Sequence, residues 1–82
     1  MSMNCKNLDQ LAHRQCGRIC GFSSTDDAMV VKLREIGFAE GDEVEVLARG
    51  FVGGTPLSVR LNQTVIALRK RAARLVLVET GA

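Results

Sequence analysis

Residues 33–50 read LREIGFAEGDEVEVLARG, residues 56–61 read PLSVRL and residues 65–79 read VIALRKRAARLVLVE. The first stretch begins as the end of a helix. Met29, Val30, Leu33 and Ile36 recur at helical spacing, with Lys32 and Arg34 off that stripe. Gly37 stops the helix as a residue free to take positive φ at C′, and Phe38 can fold back onto Leu33 or Arg34. Beyond the helix the apolar residues alternate with period two, the mark of half-buried strands. Val44, Val46 and Ala48 face one way, and Leu57, Val59 and Leu61 alternate with Ser58 and Arg60.

The flanks extend this reading. Residues 1–6 read as a disordered start or lead-in, and Asn7 caps a brief helical turn through Leu8, Leu11 and Ala12. Gln15 to Phe22 is a first strand weakened by Gly17 and Gly21. Ser23-Ser24-Thr25-Asp26-Asp27 starts the helix, with Ser24 or Thr25 as the cap and the aspartates at the positive end of the helix dipole. Arg49 to Thr55, with three glycines, is a loop, and Pro56 opens the next strand. Asn62-Gln63 is a hairpin connection in which Asn takes φ > 0. Val65 to Leu68 is a strand, Arg69 to Ala73 a turn or one helical turn, and Leu75 to Val78 a last strand buried on both sides. The expectation is a mainly β fold: one domain over residues 1–82, a small five-stranded closed or nearly closed barrel, one α-helix inserted after the first strand and a short N-terminal helical turn.

Composition narrows the function. The chain has 82 residues, 46% of them apolar, which excludes disorder. A net charge of +2 and the lack of Trp and Tyr argue against nucleic acid, where clustered cations and stacking rings do the binding. No apolar run approaches the roughly 20 residues of a membrane span. MSMNCKNLDQ holds no secretory signal, so the expected location is the cytosol with its three cysteines reduced, an odd number arguing against a disulfide framework. One histidine and no paired nucleophile and base argue against an enzyme. Gly50, Gly53 and Gly54 precede a strand rather than a helix, so they make no phosphate cradle.

The order of Leu33-Arg34-Glu35-Ile36-Gly37-Phe38, Glu40-Gly41-Asp42-Glu43-Val44-Glu45-Val46, Pro56-Leu57-Ser58-Val59 and Ile66-Ala67-Leu68-Arg69, then Ala72 and Leu75 to Val78, resembles the FeoA family of ferrous iron transport proteins. The likeness runs from about residue 8 to residue 79. It departs at the N-terminus, where the family's proline before the first strand is missing and Cys16 stands near the turn. The resemblance implies an SH3-like barrel and a cytosolic, non-enzymatic accessory of ferrous iron uptake. It also implies as partner FeoB, a membrane transporter with a cytosolic GTPase domain, and through it a peripheral place at the inner membrane. A related domain in iron-dependent repressors keeps a second reading open, an SH3-like metal-sensing regulatory module.

Two sets of residues are candidates for a site. His13, Cys16 and Cys20 carry the imidazole and thiolate groups that bind Fe²⁺ or Zn²⁺ well, but they are weak candidates for one site, since on a strand Cys16 and Cys20 stand roughly 13 Å apart. No cofactor is expected. Glu43 and Glu45 share one strand face and could hold a hard cation, a solvated face being the simpler reading. For a protein partner the candidates are Met29, Phe38, the Phe51-Val52 tip, an exposed strand edge and the basic run of Arg69, Lys70, Arg71 and Arg74. Edge strands of a small barrel also make a homo-oligomer plausible.

Overall fold

The computed structural model describes residues 5–24, 27–50 and 53–80. Strand β1 (Cys5–Asn7) leads into a 3₁₀ turn (Leu8–Gln10) and strand β2 (Cys16–Phe22). Helix α1 (Ala28–Ile36) comes next, then β3 (Glu43–Gly50), β4 (Gly54–Leu61), β5 (Thr64–Leu68), helix α2 (Lys70–Ala73) and β6 (Val76–Glu79). The strands form one antiparallel sheet in the order β1-β6-β2-β3-β4-β5. The architecture is the expected mainly β, SH3-like one, with six strands instead of five. The added strand is β1, whose Cys5 and Lys6 belong to the segment expected to be a lead-in. Three residues carry too short a pattern to announce a strand. They become one because the edge of β6 offers them a ladder.

The sheet rolls because β2 changes partners along its length. Its Cys16, Gly17 and Arg18 pair with β3, while Arg18 to Phe22 pair with β6 across a bulge between Ile19 and Gly21. Close approach explains the glycine at position 17: a Cβ there would overlap the Val78 side chain and come within 3.0 Å of the Glu79 carbonyl. Rolled this way, β2 to β6 turn Ile19, Val44, Val46, Leu57, Val59, Leu61, Leu68, Val76 and Val78 into a single core. Leu8 and Leu11 enter it from the N-terminal segment, and Leu33 and Phe38 from the helix and its end. The alternation of Leu57, Val59 and Leu61 with Ser58 and Arg60 is as expected.

Several local readings change. The helix cap is Asp27, whose Oδ1 accepts from the Met29 N–H at 2.8 Å, rather than Ser24; Thr25 and Asp26 lie outside the described residues. Gly37 does end the helix at φ 129°, and the Phe38 N–H closes back on the Leu33 carbonyl at 3.0 Å. Ala48 is exposed although it shares parity with Val44 and Val46, because a bulge between Val46 and Ala48 resets the pleat. Arg49 and Gly50 continue β3 and Gly54 and Thr55 begin β4, so the expected 49–55 loop shrinks from both sides. In β6, Val76 and Val78 are buried while Leu77 is only half-buried, so one face keeps some solvent. Asn62 takes φ 56° in its turn, as read from sequence.

The cysteines differ most from expectation. Cys5 on β1 is bonded to Cys20 on β2, and Cys16 is free and exposed. Both strands flank β6, and the roll of the sheet brings the two Cα atoms to 6.9 Å. An odd count leaves one thiol over, but it does not forbid the other two from pairing.

Candidate docking groove and the fate of the candidate residues

The helical stripe of α1 splits in two. Val30 and Leu33 point into the core, at 2% and 1% exposure, while Ile36 stays 49% exposed and Met29 is half-buried. Ile36 was expected on the buried face. It is the last residue of α1 and lines a groove instead. That groove, of about 240 Å³, runs between α1, the end of β5 and α2. Its floor is Met29, Leu33, Ile36, Leu68 and Ala72, and Lys32 and Arg69 are its charged members. The lining holds no carboxylate, histidine or thiol, so its chemistry is apolar contact beside positive charge. Strand β5 is an edge of the sheet, and its Val65 is 61% exposed.

The helix that carries the groove is held firmly. The Arg34 guanidinium lies 4.6 Å from the centroid of the Phe22 ring and 3.5 Å from Glu40 Oε1. The helix end is closed by the Gly37 and Phe38 backbone, and Phe38 itself is 1% exposed. This removes Phe38 from the candidate docking residues. Its ring is the largest fully buried side chain, since a fold with no Trp or Tyr needs it for volume. Met29 and Arg69, by contrast, meet in the groove, with Lys70 and Arg71 exposed on the adjoining α2. Arg74 is exposed too, and its Nε stands 3.9 Å from Asp9 Oδ2. Phe51 and Val52 lie outside the described residues.

The metal candidates are not brought together. Cys20 is bonded to Cys5, Cys16 stands opposite Glu45 at the start of β2, and His13 Nε2 donates to the Leu47 carbonyl at 2.8 Å. Among the described residues no three His, Cys, Asp or Glu side chains gather as a metal site. The strand carboxylates are matched by arginines instead. Glu45 lies 3.0 Å from Arg60 and 3.6 Å from Arg14, and Glu43 lies 3.9 Å from Arg18. Glu45, the less exposed of the two, is the more closely held.

Sequence reasoning missed one organising residue. Arg49, taken for a loop cation, donates through Nη2 to the carbonyls of Asp9 and Leu11, both at 2.6 Å, and through Nη1 to Asp9 Oδ1 at 3.3 Å. It ties the 3₁₀ turn to β3. No local pattern signals a guanidinium reaching acceptors about forty positions away.

Among known structures, the chain is similar to the Stenotrophomonas maltophilia FeoA complexed with zinc, a prokaryotic SH3 domain protein. The two share 36% identity over 88% of this chain and 87% of that one, with a TM-score of 0.76. A FeoA-like protein from Clostridium acetobutylicum superposes with a TM-score of 0.87 over 100% and 92% of the two chains, at 22% identity. A manganese-dependent transcriptional repressor gives 0.86 at 22% identity over 99% of this chain but 44% of its own. At 22% these two likenesses speak for the fold alone. No curated protein matches the chain. The FeoA domain profile matches residues 6–80, from β1 through β6, and with that span and the 36% identical relative the chain belongs to the FeoA domain family.

Proposed function

We propose that this protein is a non-enzymatic, cytosolic accessory of ferrous iron uptake that binds and modulates a FeoB-type membrane transporter. The match of the FeoA domain over residues 6–80 carries the reading. The 36% identical FeoA, described as a candidate ferrous iron transport activating factor, supports it. Among the described residues no helix is long and apolar enough to cross a membrane. A peripheral place at the inner membrane follows from the partner in this reading. The docking surface is the groove between α1 and α2 with the basic residues around it, Arg69, Lys70, Arg71 and Arg74 among them. Docking alters the transporter only if the chain binds its conformations unequally.

Capture of the transporter from detergent-solubilised membranes by the immobilised full chain, together with ferrous iron uptake in a deletion strain, tests this. Normal uptake without the protein, or no capture, ends the reading. The zinc-bound relative keeps a metal-sensing module as the second reading. Calorimetric titration with Fe²⁺, Mn²⁺ and Zn²⁺ separates the two: tight stoichiometric binding favours the sensor.

A further inference from the structure

The cations of this protein fall into two groups. Arg14, Arg18, Arg34, Arg49, Arg60 and Arg74 each stand within 4.0 Å of a carboxylate of the chain. Lys6 on β1 and Lys32, Arg69, Lys70 and Arg71 have no such partner among the described residues, and all five are exposed. Lys6 stands apart, on β1 at the other edge of the sheet from β5, and the remaining four belong to α1, α2 and the residue before α2. Lys32 and Arg69 line the groove, and Lys70 and Arg71 continue from Arg69 along α2. Glu35 lies on α1 but not in the groove.

An apolar floor beside unmatched cations is a complement waiting for the opposite pattern. We infer that the groove between α1 and α2 takes an acidic amphipathic peptide segment, its apolar side chains seated on Met29, Ile36, Leu68 and Ala72 and its carboxylates facing Lys32, Arg69, Lys70 and Arg71. Resting on the accessory reading above, this names the part of the partner that docks: an Asp/Glu-flanked apolar stretch of its cytosolic region. A basic or purely apolar segment leaves the four cations unmatched, and a basic one is repelled by them. The apolar contact holds the complex, and the charges select it and speed encounter.

The probe is a set of overlapping peptides spanning the cytosolic region of the FeoB-type transporter from the same organism, titrated into the isotope-labelled full chain. Binding is expected to concentrate on acidic, amphipathic peptides and to shift the amides of Met29, Ile36, Ala67, Arg69 and Ala72. It should weaken about tenfold in the double variant Lys32→Glu/Arg69→Glu and fall with added salt. Ile36→Asp should weaken it at least as much. Both changes lie on exposed positions, so thermal unfolding near the wild-type temperature certifies that each variant folds. Preference for basic peptides, shifts elsewhere on the surface, or indifference to the double variant overturns the inference. Concentration-dependent shifts at the same amides without peptide would assign the groove to a second copy. Shifts produced only by phosphatidylglycerol vesicles would assign it to a membrane. Either result overturns the inference as well. If the chain captures the intact transporter but no acidic peptide binds, this inference falls and the accessory reading stands; if the transporter itself is not captured, that reading falls.

Discussion

Replacing Arg49 with alanine removes three hydrogen bonds at once and tests whether the N-terminal segment depends on one guanidinium. Two of the acceptors are backbone carbonyls at 2.6 Å, and the third is Asp9 Oδ1 at 3.3 Å. Hydrogen bonds from a charged group are worth about 1.5–3 kcal/mol each when buried. Arg49 is 32% exposed, so water recovers part of that when the side chain is lost. The segment it holds carries Leu8 and Leu11, both in the core, so loosening it also disturbs packing. The expected loss is about 2 kcal/mol, which for a domain of this size lowers Tm by about 8–16 °C. Arg49→Lys recovers little, because a single ammonium cannot reach three acceptors set by a planar fork. Asp9→Ala removes only the carboxylate and leaves both carbonyls bonded, so it costs about 1 kcal/mol or less. Urea unfolding followed by circular dichroism measures all three variants. A loss below about 0.5 kcal/mol for Arg49→Ala, or equal losses for Arg49→Ala and Asp9→Ala, would refute the reasoning; the second result would mean that the ion pair, not the carbonyl clamp, is what stabilises.

Three further outcomes are expected. Gly17→Ala forces a methyl group against Val78 and the Glu79 carbonyl, parting β2 from β6 and costing about 1–3 kcal/mol in chemical unfolding. Phe38→Ala empties a core site and costs about 3–5 kcal/mol; a variant as stable as wild type that fails only in transporter capture would return Phe38 to the docking surface. Cys5→Ser, or dithiothreitol on the wild type, opens a loop of sequence separation 15 and removes about 3 kcal/mol in the chain-entropy estimate, read as a lower Tm. Alkylation before reduction should label only Cys16, and labelling of all three thiols in freshly purified protein would contradict the bond.

Legibility in the sequence tracks the range of the interactions. Gly37 and the alternation of Leu57, Val59 and Leu61 are local signals, and both elements stand where they were read. The cap moved by three positions because Ser24 and Asp27 are equally good caps, and only the packing of Val30 and Leu33 decides where the helix begins. Ala48 was misassigned because a bulge breaks period-two counting without altering composition. Strand β1, the Cys5–Cys20 bond and Arg49 were invisible for one shared reason. Each depends on a partner brought near by the roll of the sheet, the bond at a sequence separation of 15 and Arg49 at about 40. Of the candidate site, the basic run and Met29 could be named beforehand. That they adjoin Lys32 and Ile36 could not, since β3, β4 and β5 intervene in the chain between α1 and α2.

The same scarcity of aromatic residues that shapes the core also determines what the surface can offer. Phe38 is consumed by the interior, and Phe22 packs against the core under the Arg34 guanidinium. Among the described residues neither ring lines the groove, whose apolar surface is made of flexible aliphatic and thioether side chains, Met29, Ile36 and Leu68 among them. Such a floor adapts to more than one apolar shape and discriminates poorly among them. Selectivity must then come from charge. Arg14, Arg18, Arg34, Arg49 and Arg60 already stand beside Glu43, Glu45, Asp9 or Glu40, so a partner that engaged them would have to displace an existing pair. Lys32, Arg69, Lys70 and Arg71 carry no such cost among the described residues. Apart from Lys6 on β1, the fold therefore divides its positive charge between arginines paired with its own carboxylates and the α1–α2 face, and the second share is where changes should alter recognition while leaving stability nearly unchanged.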